Sequence, residues 1–167
     1  MSATEPSFVR PRPGWLLRLF FKVPVLLYRG WLAELLRARC VLLLTTTGRR
    51  TGRPRTTGVS FLPLEDRYVI FAGWGVRADW YRNLLANPEV TLQIGRQRLR
   101  ATAVPVRDPA RRRALMLQMQ ARSAQCGPPR WIRPLLRLTR VFDYDREIAM
   151  AVEHAETLPV VELFPHA

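Results

Sequence analysis

The densest chemistry in the chain lies in Thr45-Thr-Thr-Gly-Arg-Arg-Thr-Gly-Arg-Pro-Arg55, where a run of threonines is followed by two glycines and four arginines. Glycine tolerates positive φ, so successive backbone N–H groups in such a loop can converge on an anion. Arg49, Arg50, Arg53 and Arg55 add forked donors that match phosphate or carboxylate oxygens. The segment is neither a Walker loop nor a GxGxxG dinucleotide fingerprint, and it reads equally as a solvated basic hairpin turn. A second concentration is Ala72-Gly-Trp-Gly-Val-Arg-Ala-Asp-Trp-Tyr-Arg-Asn83. Gly73 and Gly75 let a flat ligand approach the backbone, and Trp74, Trp80 and Tyr81 can wall a planar heterocycle. Trp80 and Tyr81 fit the core of a short helix as well. A basic loop beside an aromatic, glycine-lined strand end points to a flavin-like cofactor.

The surrounding pattern must hold these two segments together. Cys40–Thr47, Arg55–Pro63 and Arg67–Gly73 read as strands of an antiparallel meander. Ala78–Ala86 carries a helical apolar pattern stopped by Asn87-Pro88. Glu89–Ile94 and Gln97–Val106 alternate around Gly95-Arg96 as a hairpin. Asp108-Pro109 caps a helix running to about Ser123. A basic amphipathic stretch, Trp131–Thr139, is followed by a helix over Asp143–Ala155 and a closing strand over Leu158–Phe164. Several antiparallel strands with two or more helices predict a small β-barrel with helical decoration.

The 167 residues fit one domain with appendages: a loose tail over 1–13, a basic amphipathic helical segment over 14–38 and a barrel over 39–167. Pro24 is expected to split the helical segment in two. Arg18, Lys22 and Arg29 fall on one stripe beside Trp15, Leu16, Leu19, Phe20, Leu26 and Trp31. That arrangement suits either a helix lying on an anionic membrane or one packed on its own domain. The charge is +14, from 27 basic and 13 acidic residues, which calls for an anionic partner or simply a basic surface. Cys40 and Cys126 are too few for a disulfide framework, two histidines near the C-terminus argue against a His-centred triad, and no metal site is expected.

The motifs TTTGRRTGRPRTT and AGWGVRADWYRNLLANPEV resemble the deazaflavin-dependent nitroreductase family, with the match running from about Val41 to Val106. The resemblance implies a split β-barrel of the FMN-binding type and coenzyme F-420 as cofactor, with FMN as the alternative. By position, Arg49, Arg50, Thr51, Gly52 and Arg55 would hold the phosphate and acidic tail. Thr56 and Thr57 would lie beneath the ring, Gly73, Trp74 and Gly75 would line it, and Trp80, Tyr81 and Asn83 would support the loop. The chain departs from the family at Arg50, where a lysine is common, at Gly73-Trp74, and in lacking a tyrosine-rich C-terminal segment, of which only Tyr144 remains.

The implied function is hydride transfer from the reduced deazaflavin to a small electron-poor acceptor: a quinone, a nitro compound or an activated alkene. Ser60 and Tyr81 are the hydroxyls that could supply a proton, though both fit ordinary strand and helix positions. A cytoplasmic location is expected, with the segment Trp15 to Trp31 offering peripheral attachment to the inner face of the membrane. Related barrels pair, so a homodimer is open. Two other readings stand beside the enzyme: a non-catalytic barrel binding FMN, heme or lipid, and a basic nucleic-acid binder, for which no RNP, KH or zinc-finger signature is present and no nucleic-acid partner is expected.

Overall fold

The computed structural model describes residues 5–28, 30–140 and 142–166. The alternating segments close into an antiparallel split β-barrel. β1 (Val41–Thr47), β2 (Pro54–Pro63), β3 (Tyr68–Phe71), β4 (Glu89–Ile94), β5 (Gln97–Pro105) and β6 (Val160–Pro165) are joined in the order β1-β2-β3-β6-β5-β4, and β4 returns to β1. The β1–β2 ladder runs from Val41 opposite Ser60 to Thr47 opposite Pro54, so the arginine-rich loop tops that hairpin. The β4–β5 hairpin turns through Gly95 (φ 59°) and Arg96, as its alternation requires.

The helices are α1 (Trp15–Leu27), α2 (Trp31–Ala38), α3 (Asp79–Ala86), α4 (Pro109–Arg122), α5 (Arg133–Leu138) and α6 (Tyr144–Glu153). α3 plugs the barrel: Ala78, Tyr81 and Leu84 join Leu42, Leu44 and Leu92 in the interior. α4 and α6 cover the outside of β3 and β6, where Met116, Met119 and Ala151 meet Val69 and Val160. Tyr28 and Ala33, at α1 and α2, bury Leu43 on the outer face of β1. Asp108 caps α4 by accepting from the Ala110 N–H at 3.1 Å. Arg112 is fully buried and donates to the carbonyls of Val106, Arg107 and Glu156, which replace its lost hydration.

Three expectations change. Pro24 does not split the N-terminal segment but sits inside α1; the chain breaks later, ahead of α2, where Gly30 takes φ 60°. Packing outweighs the lost helix hydrogen bond, because the Pro24 ring rests on β2 at Gly58. Residues 5–13, expected to be loose, are docked: Ser7 and Phe8 N–H donate to the Thr157 carbonyl, Val76 N–H donates to the Phe8 carbonyl, and Val9 bridges Gly75. Backbone pairing, the packing of Phe8 on the α4–α6 core and the Arg10–Glu147 ion pair hold this segment, and the local hydrophobic pattern does not report it. Cys40 and Cys126 are joined in a disulfide with Cα atoms 5.1 Å apart, tying the start of β1 to the turn after α4. Arg29, the third member of the basic stripe, lies outside the described residues, as do residues 1–4 of the tail.

Candidate functional site

A cleft of about 750 Å³ opens between α1, the β1–β2 loop, the β3–α3 loop and the α4–α6 layer. Its shape starts from the loop. Gly48 N–H donates to the Arg53 carbonyl at 2.9 Å, and Gly52 N–H to the Gly48 carbonyl at 2.8 Å. Thr51 N–H also turns onto the Gly48 carbonyl (3.2 Å), and Arg49 N–H is taken by Asn83 Oδ1 (3.2 Å). These N–H groups are used internally, so the converging backbone nest expected from the glycines does not form. The donors that the loop leaves open to the cleft are side chains instead.

The arginines of the loop divide by role. Arg49 reaches across to α3, donating from Nη1 to Asn83 Oδ1 at 3.0 Å and from Nη2 to Asp79 Oδ1 at 3.1 Å. Asn83, buried, donates in turn to Thr46 Oγ1 at 3.1 Å. Arg49 and Asn83 therefore clasp the loop to the helix. Arg50 and Arg55 line the cleft with no carboxylate partner among the described residues, and Arg53 stands outside its lining. Thr51, Thr56, Thr57 and Ser60 also face it, with Thr56 bonded to Thr45 through their hydroxyls at 2.8 Å.

The glycine–tryptophan motif divides similarly. Gly73, Trp74 and Trp80 line the cleft, and a Cβ added at Gly73 would meet nothing within 4 Å. Gly75 (φ 70°) is covered by the docked segment, where any side chain would collide with the Phe8 carbonyl. Gly52 is a turn residue, and Tyr81 is buried in the barrel, so neither reaches the cleft wall. Burial also raises the Tyr81 pKa.

Several lining residues escaped the sequence reading. From α1 come Arg18 and Lys22; from the docked segment, Arg10 and Arg12; from the β3–α3 loop, Arg77. The helical stripe of Arg18 and Lys22 was visible in the pattern, but not that it faces a cleft. Eight basic side chains and two carboxylates line the space. Both carboxylates are already matched, Asp79 by Arg49 and Glu147 by Arg10, the latter through bonds of 2.5 and 2.9 Å.

The other end of the cleft is apolar. Phe21 meets Trp74 edge-on with centroids 6.3 Å apart and Phe142 at 5.7 Å, above Met116, Met119 and Ile148. The Arg10 guanidinium covers one face of Trp74 at 4.1 Å. Tyr144 is buried there beneath Arg133, and its hydroxyl finds no hydrogen-bond partner among the described residues. Burial pushes its pKa up to about 12, so it stays a neutral donor. The arrangement can hold a multiply charged anion at one end and a flat apolar group at the other.

A family model, "F420H(2)-dependent quinone reductase", matches residues 27–127. The chain belongs to that family. The F420H(2)-dependent quinone reductase of Mycobacterium tuberculosis strain H37Rv is 44% identical over 68 residues, which cover 39% of this chain and 46% of that protein. The chain thus spans about half the length of the curated relatives it matches. Among solved structures, the heme storage protein HutZ of Vibrio cholerae aligns with TM-score 0.52 and 19% identity, covering 80% of this chain and 87% of that one. A conserved hypothetical protein of Mycobacterium tuberculosis aligns with TM-score 0.52 and 13% identity, covering 81% and 78%. These two likenesses concern the fold.

Proposed function

We propose that this protein is a reductase that binds coenzyme F-420 and reduces a small, flat, electron-poor acceptor, a quinone before a nitro compound or activated alkene. One observation carries the reading: six cations with no carboxylate partner among the described residues (Arg12, Arg18, Lys22, Arg50, Arg55, Arg77) share one cleft with an aromatic chamber. Such a cluster repels itself and is relieved by a polyanion. The phosphate and acidic tail of the deazaflavin match it, and the chamber fits a planar ring. FMN, with one phosphate, would leave most of the charge unanswered.

When bound, the reduced deazaflavin supplies the hydride. Arg50 and Arg55 would meet the charged tail. The open backbone at Gly73 would allow close approach of the ring, with Trp74 and Trp80 beside it. Phe21, Phe142 and Met119 would keep bulk water from the acceptor and hold its flat face against the ring. Ser60, on the cleft wall, is better placed than Tyr81 to exchange a proton. Fluorescence titration with coenzyme F-420 and, separately, with FMN tests the reading: tight uptake of the first and weak uptake of the second is expected. Binding of neither would end it.

We also infer that the outer face of α1 and the first residue of α2 rest on lipid. Trp15, Leu26 and Trp31 are 73%, 70% and 70% exposed, and Leu16 and Leu19 lie bare beside them. No helix among the described residues is long and apolar enough to cross a membrane, so the contact would be with one leaflet. A flotation assay with anionic vesicles should show binding that Trp15→Ala with Leu26→Ala abolishes. Unchanged flotation would remove this part.

A further inference from the structure

α5 is built inside out. A surface helix ordinarily turns its leucines to the protein and its arginines to water. Here Arg133 faces the protein. It donates from Nε to the Pro128 carbonyl at 2.9 Å, from Nη2 to the Cys126 carbonyl at 2.7 Å and from Nη1 to Asp145 Oδ1 at 2.9 Å. Its guanidinium also lies 4.8 Å from the centre of the Tyr144 ring. Arg137 pairs with Asp143 and Asp145 at the start of α6. Trp131, Leu135 and Leu138 are left on the outside, 79%, 56% and 81% exposed. Polar contacts hold the helix down, and its large apolar side chains stand free.

The charge around this apolar group has one sign. Residues 130–140 hold four arginines and no acidic residue. Asp143 and Asp145, which follow, are taken by Arg133 and Arg137. Arg130 and Arg140, both exposed, bracket the group and have no carboxylate partner among the described residues. A second copy of the chain fits this face badly. A two-fold contact sets a patch against itself, and here it would press arginines together in a molecule of net charge +14. An anionic leaflet matches both parts: phosphates for the arginines and an acyl boundary for Trp131, Leu135 and Leu138.

α1 has only one of these parts. Its outer face is apolar, but Arg18 and Lys22 line the cleft and are turned away from that face. α5 lies close enough to supply the other. Phe142, shortly after α5, packs on Phe20 and Phe21 of α1 with ring centroids 5.5 and 5.7 Å apart.

We propose that α5 is a second lipid-contacting element, in which Trp131, Leu135 and Leu138 enter the acyl boundary of an anionic leaflet while Arg130 and Arg140 meet its phosphates. The proposal rests on the reading that α1 lies on a leaflet, and gives that contact the electrostatic attraction α1 lacks. Either contact alone is weak and reversible; the two together hold the protein.

The test places an environment-sensitive nitrobenzoxadiazole label on the full chain through Leu138→Cys; Cys40 and Cys126 are joined to each other and leave the new thiol as the target. Vesicles of phosphatidylcholine alone, and of phosphatidylcholine mixed with phosphatidylglycerol, are then added. On the mixed vesicles the label should shift to the blue and be quenched by brominated acyl chains. Without vesicles its spectrum should not change with protein concentration. Arg130→Gln with Arg140→Gln should weaken binding to mixed vesicles about ten-fold and remove the preference for them over neutral ones. Trp131→Ala with Leu135→Ala should weaken binding to mixed vesicles by a similar factor. Melting temperatures should match wild type, since all four side chains are exposed. A label that stays in water while the protein binds vesicles overturns the role of α5 and leaves the α1 contact standing. An arginine variant that keeps the preference for anionic vesicles also overturns it. A blue shift that grows with protein concentration in the absence of vesicles makes the face a contact between copies and overturns the lipid assignment. Wild type that binds neither kind of vesicle overturns both contacts.

Discussion

Pro24 of α1 sits directly on Gly58 of β2: a Cβ at Gly58 would come within 2.9 Å of the Pro24 Cβ. The contact sets how closely α1 approaches the barrel, and with it the width of the cleft. Gly58→Ala should push the helix outward. We expect a loss of about 1–3 kcal/mol in stability, typical of overpacking, together with weaker cofactor binding. Thermal melts and fluorescence titration on the same sample check both effects; a variant as stable and as tight as wild type would show that α1 is not seated by this contact.

Arg49 and Arg50 are neighbours with opposite duties. Arg49→Ala should lower the melting temperature, since it strips bonds from the buried Asn83, and Asn83→Ala should cost about 1–3 kcal/mol for the same reason. Arg50→Ala should leave the melting temperature near wild type and weaken cofactor binding. Denaturant unfolding paired with binding constants separates the two, and a reversed pattern would exchange their roles.

The Tyr144 hydroxyl is buried with no hydrogen-bond partner among the described residues, and its pKa is pushed up to about 12 by desolvation. In the unfolded chain the group titrates near about 10. A folded value above the unfolded one gives stability that is fully present below pH about 10 and is lost as pH rises toward about 12. Melting temperature should therefore fall through that window. Tyr144→Phe should flatten the fall, leaving the smaller slopes from Tyr28 and Tyr81, whose burial raises their pKa in the same direction. At neutral pH the substitution should cost little, because no bond is lost.

The Cys40–Cys126 disulfide closes a loop across 86 positions of sequence. Cys40→Ser with Cys126→Ser should cost about 2–4 kcal/mol, and dithiothreitol should reproduce the loss in wild type alone. Alkylation followed by mass measurement, with and without reductant, gives the thiol count that accompanies each melt.

Much of the barrel could be read directly. Val90, Leu92 and Ile94 alternate because one face of β4 fills the interior, and strand periodicity reports that without ambiguity. The arginine loop and the glycine–tryptophan turn were legible because their composition is rare outside sites. Other features leave no local trace. Helical periodicity places Arg18 and Lys22 on one stripe but does not say which way the stripe faces; that is decided by Pro24 meeting Gly58. The docking of residues 7–9 runs through backbone groups of Phe8, Gly75 and Thr157, and its one apolar anchor, Phe8 against His154, is a lone aromatic in no periodic pattern. The nest failed because the loop's N–H groups found nearer acceptors in the Gly48 and Arg53 carbonyls and in Asn83, a residue 34 positions away.

β6 stands between β3 and β5, and it is contributed by residues 160–165. Until those six residues arrive, two rows of main-chain donors and acceptors face each other across a gap, and the sheet has raw edges. During synthesis the nascent polypeptide must therefore wait with its hydrophobic lumen unsealed, a stage at which chaperone capture or strand exchange with a sister molecule competes with maturation.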